Sequence, residues 1–151
     1  MSVNWESERQ YQDIMYQTYK GIAKISINRP QVHNAFTPKT VIELIDAFSY
    51  ARDDANIGVI ILTGEGEKAF CAGASFDELI SIKDLETGKD FFSGFAKVIN
   101  AIRKAPKFVL ARVQGKAVGG GVGLASAADY TFAHESASVK LSELAVGIGP
   151  F

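Results

Sequence analysis

Two nearly unbroken apolar runs set the limits on how this chain folds. Val59-Ile60-Ile61-Leu62-Thr63 and Phe108-Val109-Leu110-Ala111-Arg112-Val113 hold too few polar residues to leave one face in water. That pattern belongs to strands covered on both faces, as in a parallel sheet. Parallel neighbours cannot be joined by tight turns and need long crossovers, usually helices. The residues between the runs meet that need. Thr37-Pro38 reads as an N-cap with proline in the first turn. Val41, Leu44, Ile45 and Phe48 follow at helical spacing, which predicts an amphipathic helix over 38–52, ended by Asp53-Asp54-Ala55-Asn56.

Other elements fit the same alternation. Ile22-Ala23-Lys24-Ile25-Ser26-Ile27 reads as a strand with one buried face, stopped at Arg29-Pro30. Ser75 and Glu78 suit a capping box for a short helix. Phe91, Phe95, Val98 and Ile102 mark a second long helix closing near Pro106. Leu124-Ala125-Ser126-Ala127-Ala128 reads as a small-residue helix, and Tyr130 to Ala133 as a short strand. Residues 1–13 read as a loose arm anchored by Trp5 and Tyr11. There is no repeat, low-complexity tract or linker. The expected division is an arm over 1–15 and one core over 16–151, an α/β domain with a mostly parallel sheet.

Bulk properties narrow the function classes. With 151 residues, 47% of them hydrophobic, the chain suits one domain with a real core. Sixteen basic against seventeen acidic residues give a net charge of −1, which points to neither nucleic acid nor an anionic membrane as partner. Cys71 is the sole cysteine, so no internal disulfide forms, and a reducing compartment fits. The polar N-terminus carries Glu6, Glu8 and Asp13 and resembles neither a signal nor a transit peptide. No apolar run approaches the ~20 residues of a membrane span. A cytoplasmic location is the expectation.

Each apolar run leads to a glycine-marked turn: Phe70-Cys71-Ala72-Gly73-Ala74 after the first, Gly119-Gly120-Gly121 after the second. Such turns leave backbone N–H groups unpaired. Two of them converging on one carbonyl oxygen would form an oxyanion hole, able to stabilise a thioester enolate; ordinary tight turns are the plainer alternative. Gly64-Glu65-Gly66-Glu67-Lys68-Ala69 matches a dinucleotide fingerprint in letters, but it runs into Phe70-Cys71-Ala72-Gly73, which is not helical, so the context fails. Cys71 reads as a small buried hydrophobe. His33 and His134 are isolated and lack metal-ligand company, and no metal site is expected. Arg103, Lys104 and Lys107 read as a solvated helix end, with phosphate binding as the sharper alternative. Glu143, in Val139-Lys140-Leu141-Ser142-Glu143-Leu144, is either a surface residue or a partly desolvated carboxylate able to move protons.

Taken in order, Asn28-Arg29-Pro30, Asn34-Ala35-Phe36, Phe70-Cys71-Ala72-Gly73-Ala74, Gly115 through Gly121, and Ser142-Glu143 resemble the crotonase (enoyl-CoA hydratase/isomerase) superfamily, from about Tyr16 onward. The resemblance implies a crotonase-like spiral of ββα units, an acyl-CoA thioester substrate, and homo-trimers or hexamers. No separate cofactor is implied, because CoA is part of the substrate. The thioester oxygen would be held by the N–H groups of Ala74 and Gly120, with Glu143 as the proton carrier. CoA would lie along Ala72, Gly73 and Ala74, with Arg29 near its phosphates.

The chain also departs from the pattern. Hydratases of this family commonly place one acid just after the glycine triplet, where this chain has Gly123. Asp77 stands where many relatives direct a lysine toward CoA. The N-terminal half is most similar to dihydroxynaphthoyl-CoA synthases, and the later half to methylglutaconyl- or enoyl-CoA hydratases. The chain stops where members continue, so the expected fold is truncated before the C-terminal trimerisation helices, leaving apolar surface bare. The expected activity is enoyl-CoA hydratase or isomerase chemistry, as a lyase or isomerase. The alternatives are a naphthoyl-CoA-type ring closure and a non-catalytic CoA-binding fragment.

Overall fold

The computed structural model describes residues 3–147. Nine strands and four helices run in the order β1 (Glu6–Gln10), β2 (Ile14–Tyr19), β3 (Ile22–Ile27), α1 (Pro38–Asp53), β4 (Val59–Gly64), β5 (Ala69–Cys71), α2 (Phe76–Ser81), α3 (Leu85–Arg103), β6 (Phe108–Val113), β7 (Lys116–Val118), α4 (Gly120–Ala127), β8 (Tyr130–Ala133) and β9 (Val139–Lys140). The strands make two sheets. The larger has the order β1-β2-β3-β4-β6-β8, and the smaller is β5-β7-β9.

A repeat absent from the letters of the sequence organises both sheets. Each unit gives its first strand to the large sheet and its second to the small one, then closes with a helix. β4 and β5 precede α2 and α3; β6 and β7 precede α4; β8 and β9 precede a 3₁₀ turn over Glu143–Val146. The first unit is degenerate: β3 is followed by a single parallel bridge from Phe36 to Ala74, then α1. From β3 through β8 the large sheet is parallel, and the small sheet is parallel throughout. This is the ββα spiral expected of a crotonase fold.

The helices pack as their patterns dictate. α1 starts with a reciprocal cap: Thr40 N–H donates to Thr37 Oγ1 at 3.3 Å, and Thr37 N–H donates to Thr40 Oγ1 at 3.1 Å. Its Val41, Leu44, Ala47, Phe48 and Ala51 are buried at the spacing of one helix face. α3 buries Phe95, Val98 and Ile102. Each such side chain fully withdrawn from water contributes about 1.5–3 kcal/mol. Among the described residues no helix is long and apolar enough to cross a membrane.

Three expectations change here. The N-terminal stretch carries β1, which pairs antiparallel with β2. Its side chains point mostly to water, so the ladder holds it rather than an apolar pattern. Trp5 packs edge-on to Tyr19 with ring centroids 5.9 Å apart, and the Tyr11 hydroxyl donates to Asp46 at 2.6 Å, as anchors. Ser75 does precede α2, but its side chain makes no cap hydrogen bond. α4 begins at Gly120 and not at Leu124, because the glycines are demanded by neighbours rather than by helix propensity. At the far edge, β8 is exposed along its length; the rings of Tyr130 and Phe132 meet at a tilt of 58° with centroids 4.8 Å apart, and Phe132 is 57% exposed.

Candidate active site

Because the small sheet is parallel, its strands all end on the same side. Ala74 follows β5, Gly119 and Gly120 follow β7, and Ser142 and Glu143 follow β9. The C-terminal edge of parallel strands is where α/β folds place ligands. A cavity of about 540 Å³ opens there, lined by Ala72, Gly73, Ala74, Gly119, Gly120 and Glu143 among others. The three residues expected to carry chemistry, and three of the four expected to hold CoA, therefore share one cavity.

Peptide geometry says where the two N–H groups point. In a trans peptide the C=O and the following N–H point in opposite directions. Gly73 C=O accepts from Phe36 N–H at 2.9 Å. The Ala74 N–H is thus turned away from Phe36, toward the side on which β7 lies, and has no hydrogen-bond partner among the described residues. Gly119 C=O accepts from Val122 N–H at 2.9 Å inside the first turn of α4. The Gly120 N–H therefore points out of the helix start, and a first-turn N–H has no partner within its own helix. The positive end of the α4 dipole lies at the same place.

Glycine is required for this arrangement. Gly119 adopts φ 54° and ψ −125°, a conformation that side chains strongly disfavour and that aims the next N–H. Gly73 has φ 86°, and a methyl on it would lie 2.8 Å from Val118 O and 3.3 Å from Gly120 N, so the two turns touch. A methyl on Gly121 would sit 2.2 Å from Cys71 O. The triplet thus combines one special backbone conformation with one very close backbone approach.

Glu143 is buried, at 6% exposure, and its Oε2 has no hydrogen-bond partner among the described residues. A surface placement is thereby ruled out. A methyl on Gly119 would lie 3.5 Å from Glu143 Oε1, which sets the carboxylate beside the start of α4. Ser142, quoted from sequence only as the neighbour of Glu143, and His33, read as isolated and here exposed at a turn, also line the cavity. His33 lies in the left-handed region at φ 54°, a local conformation that no neighbouring residue announces.

Arg29 is not among the residues that line the cavity. Its Nε lies 3.6 Å from Asp13 Oδ1, and its guanidinium donates to Ala35 O. It braces the 28–36 loop. Asn34 completes that brace. Fully buried, it accepts from Arg29 N–H at 2.9 Å and donates to Glu65 O at 2.9 Å and Ala69 O at 2.8 Å. The glycine-rich 64–69 segment leads into β5 and not into a helix, as its context foretold. Lys107 departs from the solvated cluster: its Nζ donates to Ala51 O at 2.7 Å and to Asp54 O, closing the end of α1. Cys71 is fully buried, and burial pushes its thiol up to about 12.

Fold and cavity together define an α/β protein of spiral ββα units with its candidate reaction centre at the ends of the small parallel sheet. The chain belongs to the enoyl-CoA hydratase/isomerase family, whose sequence model matches residues 17–151. It is 35% identical to an enoyl-CoA hydratase from Bacillus anthracis, with a TM-score of 0.88 over 92% of this chain and 54% of that one. It is 28% identical to an enoyl-CoA hydratase/carnithine racemase from Magnetospirillum magneticum, with a TM-score of 0.89 over 93% and 53%. An enoyl-CoA hydratase from Mycobacterium avium subsp. paratuberculosis is 30% identical, with a TM-score of 0.80 over 93% and 52%. The chain thus spans about half the length of these relatives.

Proposed function

We propose that the protein acts on acyl-CoA thioesters, adding water to an enoyl-CoA or moving its double bond. The observation that carries this reading is the meeting of two unpaired N–H groups, on Ala74 and Gly120, with the buried Glu143 carboxylate around one cavity. In this reading the two N–H groups hold the thioester oxygen, and negative charge developing on it meets fixed dipoles. Removing one such donor typically costs about 2.7–4 kcal/mol of barrier. Glu143 carries the proton at the α- and β-carbons. Ala72, Gly73 and Ala74 form the wall along which CoA lies. Arg29 contributes at one remove, by fixing the loop that borders the cavity.

A single carboxylate is sufficient for either reaction if its proton is used in sequence. Gly123 supplies no second acid, and its place is occupied. A methyl on Gly123 would lie 3.3 Å from both Cε1 and Cζ of Phe95. That favours one-acid chemistry over a two-acid hydratase.

Crotonyl-CoA turnover is the direct test. Hydration or isomerisation that is lost in Glu143→Gln, while thioester binding by calorimetry persists, is the expected result. Cyclisation of succinylbenzoyl-CoA in place of crotonyl-CoA turnover would overturn this reading in favour of ring closure. Binding without any turnover would overturn it in favour of a CoA-binding module.

A further inference from the structure

We propose that Ser142 is the positioning residue that holds the attacking water, and that it thereby sets hydration against double-bond isomerisation. The proposal rests on the assignment of Glu143 as proton carrier. Ser142 is half-buried, lines the cavity and immediately precedes Glu143 at the end of β9. It holds the N-cap position of the 143–146 turn, where a serine hydroxyl usually bonds back to the backbone. Here it makes no such bond. The hydroxyl is instead turned to the point its neighbour faces: a methyl on Gly119 would lie 3.5 Å from Ser142 Oγ and 3.5 Å from Glu143 Oε1. A hydroxyl and a carboxylate oxygen thus border the same face of Gly119, in the wall of the cavity that Gly120 also lines.

In this proposal a water on the cavity side of Gly119 bridges the two side chains. As its oxygen bonds to the β-carbon, the double-bond electrons shift through the α-carbon onto the thioester oxygen. One water proton passes to Glu143 Oε1. The carboxylic acid then returns that proton to the α-carbon, the enolate collapses, and the carboxylate is restored. The net change is one water added across the double bond. Ser142 keeps its own proton and only orients the water. Isomerisation uses the same carboxylate and the same N–H groups but no water, so Ser142 matters to one reaction and not to the other.

The readout is a ratio: crotonyl-CoA hydration divided by α-hydrogen exchange of butyryl-CoA in D2O, which needs Glu143 and the N–H pair alone. Ser142→Ala is expected to lower the ratio about tenfold, the worth of one hydrogen bond. Ser142→Thr, which retains the hydroxyl, is expected to restore it. The isosteric Ser142→Val provides the same contrast with Thr at equal size, should the alanine variant fail to fold. A wild-type ratio in Ser142→Ala, including one in which both rates fall together, overturns the proposal. Glu143→Gln separates the two claims: loss of both reactions supports the site assignment, and retention of both overturns it whatever Ser142 does.

Discussion

The ring of Phe95 lies against the backbone of Gly123, so that any side chain at 123 would begin 3.3 Å from two of its carbons. Phe95 is itself stacked on Phe36 with centroids 5.0 Å apart, and a methyl on Gly120 would lie 2.9 Å from Phe36 Cε1. Two glycines one helical turn apart on α4 therefore receive two aromatic rings. The missing acid and the aromatic packing are one structural fact. Gly123→Glu is expected to destabilise the protein by about 1–3 kcal/mol through overpacking, and to bring no gain in crotonyl-CoA hydration. Urea titration and a turnover assay on the same sample check both halves.

Gly119 is the residue whose conformation aims the Gly120 N–H. Gly119→Ala forces a side chain into φ 54°, at a cost of about 1–3 kcal/mol, or else turns the peptide away. Turnover is expected to fall by about 10²-fold or more, as when one oxyanion donor is lost. Steady-state kinetics on crotonyl-CoA decide it: unchanged kcat in a folded variant would separate the Gly119 conformation from the chemistry.

The fully buried Asn34 ties the 29–36 loop to the 64–69 segment by two hydrogen bonds, to Glu65 O and Ala69 O, and closes the loop on itself with a third, from Arg29 N–H. Asn34→Ala takes a partner from the Arg29 N–H and the Glu65 carbonyl, while Ala69 O keeps its bond from Gln114 Nε2 at 2.9 Å, and the change is expected to cost about 2–3 kcal/mol. The denaturation midpoint should drop accordingly. A change below about 0.5 kcal/mol would show that the loop repacks without it.

Much of this fold was legible in the letters, and the limits are physical. α1 declared itself through Thr37-Pro38 and its apolar face. β4, β6 and β8 did so through apolar runs or boundaries. β5, β7 and β9 have two or three residues each, too few to carry a periodicity, and exist because distant strands pair with them. β1 has no apolar alternation at all. The start of α4 was hidden because three glycines read as a turn, whereas close approach to Cys71 and the ring of Phe36 explains two of them. At the site, Ala74, Gly120 and Glu143 were named from motif order, and the structure brings them together. Ser142 was not assigned to the site because its place beside Gly119 and Glu143 comes from proximity across strands. Arg29 lies apart from the lining of the cavity because it pairs with Asp13, in a segment read as a loose arm.

The Cys71 thiol keeps its proton up to about 12 in the folded protein, whereas an unfolded thiol loses it near ~8.5. The stabilisation tied to this group is complete below that unfolded value and is lost as pH rises toward about 12. The urea midpoint of the wild type should therefore fall more steeply above pH ~8.5 than that of Cys71→Ala. Tyr11 and Tyr16 are also raised, chiefly by burial, but they are present in both proteins, so the difference reports Cys71. Parallel curves would contradict the buried, protonated thiol.

The central claim concerns a thioester oxygen held by two main-chain amides, and the carbonyl itself can report it. Isotope-edited infrared spectroscopy of a ¹³C-labelled acyl-CoA bound to the protein reads the strength of that C=O bond. The account predicts a shift of the carbonyl band to lower wavenumber than in free solution, diminished in Gly119→Ala. A bound thioester whose band stays at its solution position would contradict it.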